Sequence, residues 1–161
     1  IKRKALMIKI NVITSNPNWQ DFIKNPTDYV DRKIEKLNIK EKIFSKNIIY
    51  CTLLLSGNKE IKYLNKKFRK KNKSTDVLSF PFQTKIEFQK LLKKNKEIYI
   101  GDIIVNINKI KNKKSLKLFK MEFDRLWIHG LVHLFGYDHK KEKDYLKMSK
   151  TEKKYINLIN A

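Results

Sequence analysis

All three histidines of the chain lie in one stretch of eleven residues, HGLVHLFGYDH, at positions 129–139. His129 and His133 are four residues apart, so their side chains share one face if this segment is helical. Gly136 can take the left-handed conformation that ends a helix, and the following turn can bring His139 back toward the other two. Three converging imidazoles with a fourth position open to solvent predict a catalytic rather than a structural site, holding one zinc ion per chain.

The spacing of this motif is that of the metzincin metalloproteases, but one catalytic residue is missing. In those enzymes a glutamate follows the first histidine and takes a proton from the zinc-bound water. Here that position is Gly130, so a metalloprotease would lack its main proton acceptor. A glycine would instead allow another helix or strand to approach the metal-binding helix closely.

The chain carries a large excess of positive charge. Its 161 residues include 38 basic and 16 acidic ones, which gives a formal net charge of +22, and 41% of the residues are hydrophobic. This balance predicts a soluble protein with a real core and a polyanionic partner, for which nucleic acid is the first candidate. Part of the excess is the lysine bias typical of AT-rich genomes, because only four basic residues are arginine. Those four, which include Arg69, are therefore more informative than the lysines.

Other features of the sequence favour a cytoplasmic protein. Cys51, the single cysteine, cannot form an intrachain disulfide, and its position in the apolar run IIYCTLLLSG predicts a small buried core residue. The chain begins with charged residues, as a signal peptide would, but the apolar run that follows is short and is interrupted by Lys9 and Asn11. No segment approaches the roughly 20 apolar residues that a membrane span needs.

Hydrophobic periodicity predicts one α+β or α/β domain that covers residues 1–161. The expected architecture is a mixed sheet of about four strands packed with a central metal-binding helix, 116–136, and flanking helices. Pro81 should end its strand or place it at a sheet edge. The lysine-rich segment 83–97 is only weakly helical in pattern and is expected to be an exposed excursion. The predicted strands are 6–14, 48–56, 75–82 and 98–107, and the other predicted helices are 26–39, 57–72 and 140–159.

Three motifs together resemble a known family. HGLVHLFGYDH, LNKKFRKKNKSTDVLSFPF at 64–82 and GDI at 101–103 are similar to segments of the bacterial YbeY proteins, metal-dependent endoribonucleases of ribosomal RNA maturation and ribosome quality control. The resemblance implies an α+β fold, a zinc ion held by the three histidines, and a functional arginine at Arg69. Lys71 and Ser74 depart from the family pattern, which often has glycine and proline there, so a different local turn is expected.

The resemblance also implies a function for the chain, namely a cytoplasmic, metal-dependent endoribonuclease in the maturation of ribosomal RNA, including the 3′ end of 16S RNA. We expect its substrate to be single-stranded, because bases and backbone are accessible only where RNA is unpaired. Its partners would be ribosomal RNA and pre-ribosomal particles, with ribosomal proteins as further candidates. The catalytic residues would be Arg69, His129 and His133. The candidates for binding backbone phosphates are Lys70, Lys71 and Lys73.

Three further hypotheses stay open at this point. Asp102 or Asp138 could support a ligating histidine, because metal-bound imidazoles usually donate their other N–H to a carboxylate or carbonyl. Phe80 or Phe82 could stack on a base, although burial in the core is the simpler expectation for both. The alternative functions are a metzincin-like metalloprotease and a non-catalytic, zinc-containing ribosome assembly factor.

Overall fold

Four strands form one mixed sheet in the computed structural model, which describes residues 7–41 and 46–161. The strands are β1 (Ile8–Thr14), β2 (Ile48–Ser56), β3 (Val77–Pro81) and β4 (Glu97–Asn106). They lie in the order β1-β2-β4-β3, in which β1, β2 and β4 are parallel and β3 is an antiparallel edge strand. The predicted α+β class and the edge position of the proline-containing strand are confirmed. Leu6, predicted to begin the first strand, lies outside the described residues.

Five helices surround the sheet in the described residues. Helix α4 packs on β3, β4 and α5, while α1 packs on β1 and α5. Helix α2 lies against the other face of the sheet and contacts β4. Two short 3-10 helices, Pro17–Asp21 and Ile107–Lys109, were not predicted. The α-helices are α1 (Pro26–Lys40), α2 (Asn58–Arg69), α3 (Lys85–Lys94), α4 (Leu116–Leu134) and α5 (Glu142–Ile159).

Alternation along the strands divides the core between the two faces of the sheet. On β4, Ile103 and Val105 belong to the main core beneath α4, whereas Ile104 belongs to a smaller cluster with Ile61 of α2 and Leu78 of β3. Helices α1 and α4 therefore cover the face of the sheet that carries the main core, which is the first face. Helix α2 covers only part of the second face, so that side chains elsewhere on that face stay accessible.

Helix α4 is central because it is apolar on nearly all sides. Its N-terminus is capped by the Ser115 side chain, which accepts a hydrogen bond from the Leu118 N–H at 3.3 Å. Phe119 and Trp127 of this helix are fully buried, and so is Cys51 of β2, as predicted for a core residue. None of the helices in the described part of the chain combines the length and the apolar character that crossing a membrane requires.

Two expectations from the sequence are wrong. Lys85–Lys94 within segment 83–97 form a helix rather than an irregular excursion, because Thr84 and Glu87 form a reciprocal capping box and Phe88 is buried against Phe135, with ring centroids 5.8 Å apart. Most side chains of the segment are exposed, as predicted. Phe82 is 58% exposed instead of buried, since it follows the last residue of β3 and points to the sparsely covered face. Phe80 is partly buried and packs on the smaller cluster.

Candidate metal centre

The C-terminal end of α4 brings the three histidines together. One nitrogen from each of His129, His133 and His139 lies within 4.8 Å of the others. The ring centroids of His129 and His133 are 4.7 Å apart, and that of His133 is 5.1 Å from that of His139. His129 and His133 are partly buried and His139 is exposed, so the cluster opens toward solvent on one side.

Two glycines position these rings. Gly136 has a φ of +96°, as predicted for the residue that turns the chain back toward His139. A Cβ at Gly130 would lie 2.5 Å from Cγ2 of Ile103 and 3.1 Å from the Ser79 hydroxyl, which donates a hydrogen bond to the Gly130 carbonyl. The predicted close approach of a strand to the metal-binding helix is therefore confirmed, and it seats His129 directly beside the sheet.

Each helical histidine is held through one ring nitrogen. The Nδ1–H of His129 donates to Oε1 of Glu152 at 2.7 Å, and the Nδ1–H of His133 donates to the carbonyl of Tyr137 at 2.9 Å. A proton on Nδ1 leaves Nε2 with a free lone pair, which is the form that binds a metal ion. The three nitrogen donors, with two outer nitrogens already engaged, fit a metal site with a fourth position open to the cleft.

Glu152 is the residue that sequence reasoning missed. It lies on α5, 23 residues from the histidine that it contacts, and no motif connects the two. A signal was nevertheless present: the buried stripe of α5 is formed by Met148, Tyr155 and Ile159, and position 152 falls on that stripe. A carboxylate where the helix period calls for an apolar residue indicates a polar partner on the neighbouring element.

The surroundings of His133 favour its neutral form. Burial is the largest cause that lowers its pKa below the usual value, and the neighbouring His129 and His139 act in the same direction. The hydrogen bond to the Tyr137 carbonyl acts in the opposite direction. A neutral imidazole can coordinate a cation without first losing a proton.

The histidines face a cleft of about 870 Å³ that also contains the predicted arginine. Arg69 is the last residue of α2, and one of its terminal nitrogens donates to the Ser79 carbonyl at 2.9 Å. Its guanidinium carbon lies 5.6 Å from the ring centroid of Phe80. Lys71 lines the same cleft, whereas Lys70 and Lys73 are exposed and are not among the described residues that line it.

The two aspartates proposed as supports have different positions. Asp138 lines the cleft, and its Oδ1 accepts a hydrogen bond from the backbone N–H of His139 at 2.7 Å and lies 3.9 Å from its Nδ1. Asp102 does not support a histidine, because strand alternation places it on the face opposite Ile103 and its carboxylate accepts a hydrogen bond from Tyr99. The expectation for Asp102 was therefore wrong.

Comparisons with known proteins agree with this geometry. The family model described as Endoribonuclease YbeY matches residues 11–160. A protein named Endoribonuclease YbeY from Pelagibacter ubique is 43% identical over 91% of this chain and 92% of its own length, and one from Thermodesulfovibrio yellowstonii is 33% identical over 79% and 75%. The solution structure of TM1509 from Thermotoga maritima superposes with a TM-score of 0.58 at 25% identity, covering 94% of this chain and 89% of its own. The chain therefore belongs to the YbeY family of endoribonucleases.

Proposed function

We propose that this endoribonuclease cleaves single-stranded ribosomal RNA in the cytoplasm, with one zinc ion held by His129, His133 and His139. The motif resemblance described above supports a role in ribosomal RNA maturation, including the 3′ end of 16S RNA, and in ribosome quality control. Pre-ribosomal particles, and ribosomal proteins within them, are then its partners.

One observation carries the proposal: three imidazoles converge at a cleft that Arg69 and Lys71 also line. Nitrogen ligands on one side and cationic side chains on the other suit a substrate whose reacting group is an anionic phosphate. The net charge of +22 favours the same class of substrate over an ordinary protein.

A zinc ion in this site would supply Lewis-acid stabilisation of charge on a phosphate oxygen and would make a water molecule more acidic. The contribution of the protein is to keep the ligands in place. Glu152 and the Tyr137 carbonyl fix the tautomer and ring orientation of His129 and His133, so these side chains need no rearrangement when substrate arrives.

Arg69 is suited to bind the scissile phosphate. One of its N–H groups is committed to the Ser79 carbonyl and its plane packs near Phe80, which limits the motion of a side chain that is otherwise exposed. The remaining N–H groups can form two parallel hydrogen bonds with phosphate oxygens. Lys71 adds charge to the same cleft but has no such fork.

Gly130 leaves no carboxylate at the position after His129, and the Glu152 carboxylate is already engaged by the His129 Nδ1–H, so a proton acceptor must come from elsewhere. Asp76 and Asp138 line the cleft, and each uses one carboxylate oxygen to accept a backbone N–H, from Val77 at 2.8 Å and from His139 at 2.7 Å. The second oxygen of either carboxylate is a candidate general base.

Metal analysis followed by parallel digestions tests the proposal. We expect about one zinc per chain, cleavage of single-stranded but not duplex RNA, and loss of cleavage with a chelator. Affinity for RNA should fall steeply with salt, because each neutralised phosphate releases counterions. Cleavage that persists after complete removal of the metal would contradict the proposal.

The same assay separates the alternatives. Digestion of casein would favour a metalloprotease, against which the missing glutamate at Gly130 argues, and RNA binding without cleavage would favour an assembly factor. A 2′-deoxy substitution at the cut site then identifies the nucleophile: persisting cleavage indicates water and lost cleavage indicates the 2′-hydroxyl.

A further inference from the structure

A row of side chains runs across the second face of the sheet, on the side away from α4. In the strand register Lys9 of β1 is beside Tyr50 of β2, which is beside Tyr99 of β4. Phe82, which follows the last residue of β3, continues the row beside β4. Its N–H donates to the Ile100 carbonyl at 3.0 Å, and its ring lies 5.1 Å from that of Tyr99. We call these four residues, Lys9, Tyr50, Tyr99 and Phe82, the aromatic row. With strands about 4.8 Å apart, it extends over about 14 Å.

The aromatic row is accessible and partly fixed in place. Tyr99 is 38% exposed, and Phe82 is more exposed still. The Tyr99 hydroxyl lies 2.6 Å from the Thr52 hydroxyl and donates to Asp102, and burial together with Asp102 raises its pKa to about 12. The hydroxyl therefore stays protonated at neutral pH, and its two partners hold the ring in one orientation.

The row begins at the cleft that contains the histidines. That cleft extends around the free edge of β3, because the histidines reach it from α4 on one face and Arg69 reaches it from α2 on the other. Gln83, the neighbour of Phe82 in sequence, lines the cleft and donates from its side chain to the Tyr99 carbonyl at 3.0 Å. An extended chain that leaves the cleft over this edge therefore meets Phe82 first.

We propose that the aromatic row binds the bases of single-stranded RNA next to the scissile phosphate, by stacking on Phe82, Tyr99 and Tyr50. This inference rests on the proposed cleavage of RNA in the cleft. Rings on an open sheet face stack two or three bases, and Lys9 at the far end supplies a cation for the following phosphate. The Asp102 carboxylate beside Tyr99 repels phosphates, so the RNA presents its bases to this part of the face.

Stacking can be measured with RNA that carries 2-aminopurine, whose fluorescence falls when it stacks. The zinc-loaded protein is titrated with nuclease-resistant phosphorothioate RNA of about 12 nucleotides, and with an oligonucleotide of about four that fills only the cleft. The variants are Phe82→Ala and Tyr99→Ala, with Tyr99→Phe as the variant that keeps the ring. Tyr63→Ala is the matched control, because Tyr63 is 60% exposed on α2 and lies outside the row.

We expect quenching with the wild-type protein, and a dissociation constant for the long RNA that rises about 5- to 100-fold for each ring removed. Tyr99→Phe and Tyr63→Ala should bind the long RNA as tightly as the wild type does. All variants should bind the short RNA with wild-type affinity, because it fills only the cleft. Equal affinity and equal quenching in Phe82→Ala and Tyr99→Ala would overturn the inference. Cleavage of unmodified RNA is assayed in parallel. A wild-type protein that binds RNA but does not cut it would contradict the proposed function. The quenching result would then still decide whether the aromatic row binds bases.

Discussion

Helix α4 carries two polar clusters that differ in what their polar atoms bind. Near its middle, the carboxylate of Asp124 accepts hydrogen bonds from the Tyr29 hydroxyl and from Nε1 of Trp127, each at 3.0 Å, and pairs with Lys33 at 3.3 Å. Asp124 is almost completely buried. Burial raises the pKa of its carboxyl group, while the bond from Trp127 and the charge of Lys33 act to lower it.

The histidine cluster at the end of the same helix is arranged differently. His129 and His133 each engage one ring nitrogen with a protein acceptor and leave the other nitrogen for the cleft. In the Asp124 cluster the carboxylate instead contacts protein side chains, those of Tyr29, Lys33 and Trp127, as expected for a group that stabilises the fold. Ligand atoms that face a cleft, rather than polarity alone, therefore distinguish a candidate catalytic cluster from a structural one.

Replacing His133 with Ala should have the largest effect on activity. With two imidazoles left, we expect loss of the stoichiometric zinc and of RNA cleavage, because the remaining donors cannot hold the ion. The free energy of unfolding, compared between the metal-free proteins, should change by less than about 1 kcal/mol, since the residue is not part of the core. Zinc analysis, an RNA cleavage assay and a denaturant titration followed by circular dichroism measure these three quantities. A full equivalent of zinc in the variant would show that the ligand assignment is wrong.

Arg69→Lys tests whether the cleft needs a guanidinium or only a charge. Lysine keeps the charge but loses the fork, so we expect cleavage to fall by about 10²-fold. Zinc content and melting temperature should be unchanged. Lys71→Arg is a suitable companion variant, because it adds a fork at the other predicted cation of the cleft. Near-normal cleavage by Arg69→Lys would mean that Arg69 contributes only its positive charge and not its guanidinium fork.

Glu152→Ala should weaken the metal site without removing a ligand. Loss of the acceptor for His129 should lower zinc affinity about 10- to 100-fold, measured by competition with a fluorescent chelator. Glu152→Gln keeps an acceptor oxygen and should restore part of that affinity. Glu142→Ala, which removes an exposed acid from the start of the same helix, is the control. Unchanged zinc affinity in Glu152→Ala would mean that the contact serves only to attach α5.

Asp124→Ala should show the reverse pattern, with a cost in stability alone. Removing the carboxylate leaves the Trp127 N–H and the Tyr29 hydroxyl without an acceptor, and we expect the free energy of unfolding to fall by about 2 kcal/mol. Asp124→Asn keeps an acceptor and should lose about half as much. Zinc content and cleavage per folded molecule should stay normal in both, as denaturant titration and activity assays can check. A loss of zinc from the folded variants would remove the distinction between the two clusters.

The sequence predicted local structure better than long-range contacts. Periodicity located all four strands and the helices other than α3, and the paired spacing of His129 and His133 predicted their convergence with His139. Helix α3 was missed although Thr84 and Glu87 form a recognisable capping box, because the contact that anchors it, Phe88 with Phe135, joins residues far apart in the chain.

The same limitation explains the errors at the site. Glu152 contacts His129 only because α5 packs on α4. The apolar stripe of α5 indicates that position 152 faces the interior, but nothing local to either residue identifies α4 as its partner. Asp102 was a candidate because it is the lone acid of a strand, 98–107, that resembles a strand lining the site. The face on which it lies depends on the register of β4 with its neighbours, which a single sequence does not give.

The free edge of β3 also affects how the protein behaves at high concentration. Unpaired N–H and C=O groups along a sheet edge can recruit a strand from another molecule, which is a common start of aggregation. Here the edge strand has only five residues, Pro81 contributes no donor, and the Ser79 carbonyl already accepts a hydrogen bond from Arg69. The arginine proposed to bind phosphate thus also shields this edge from self-association.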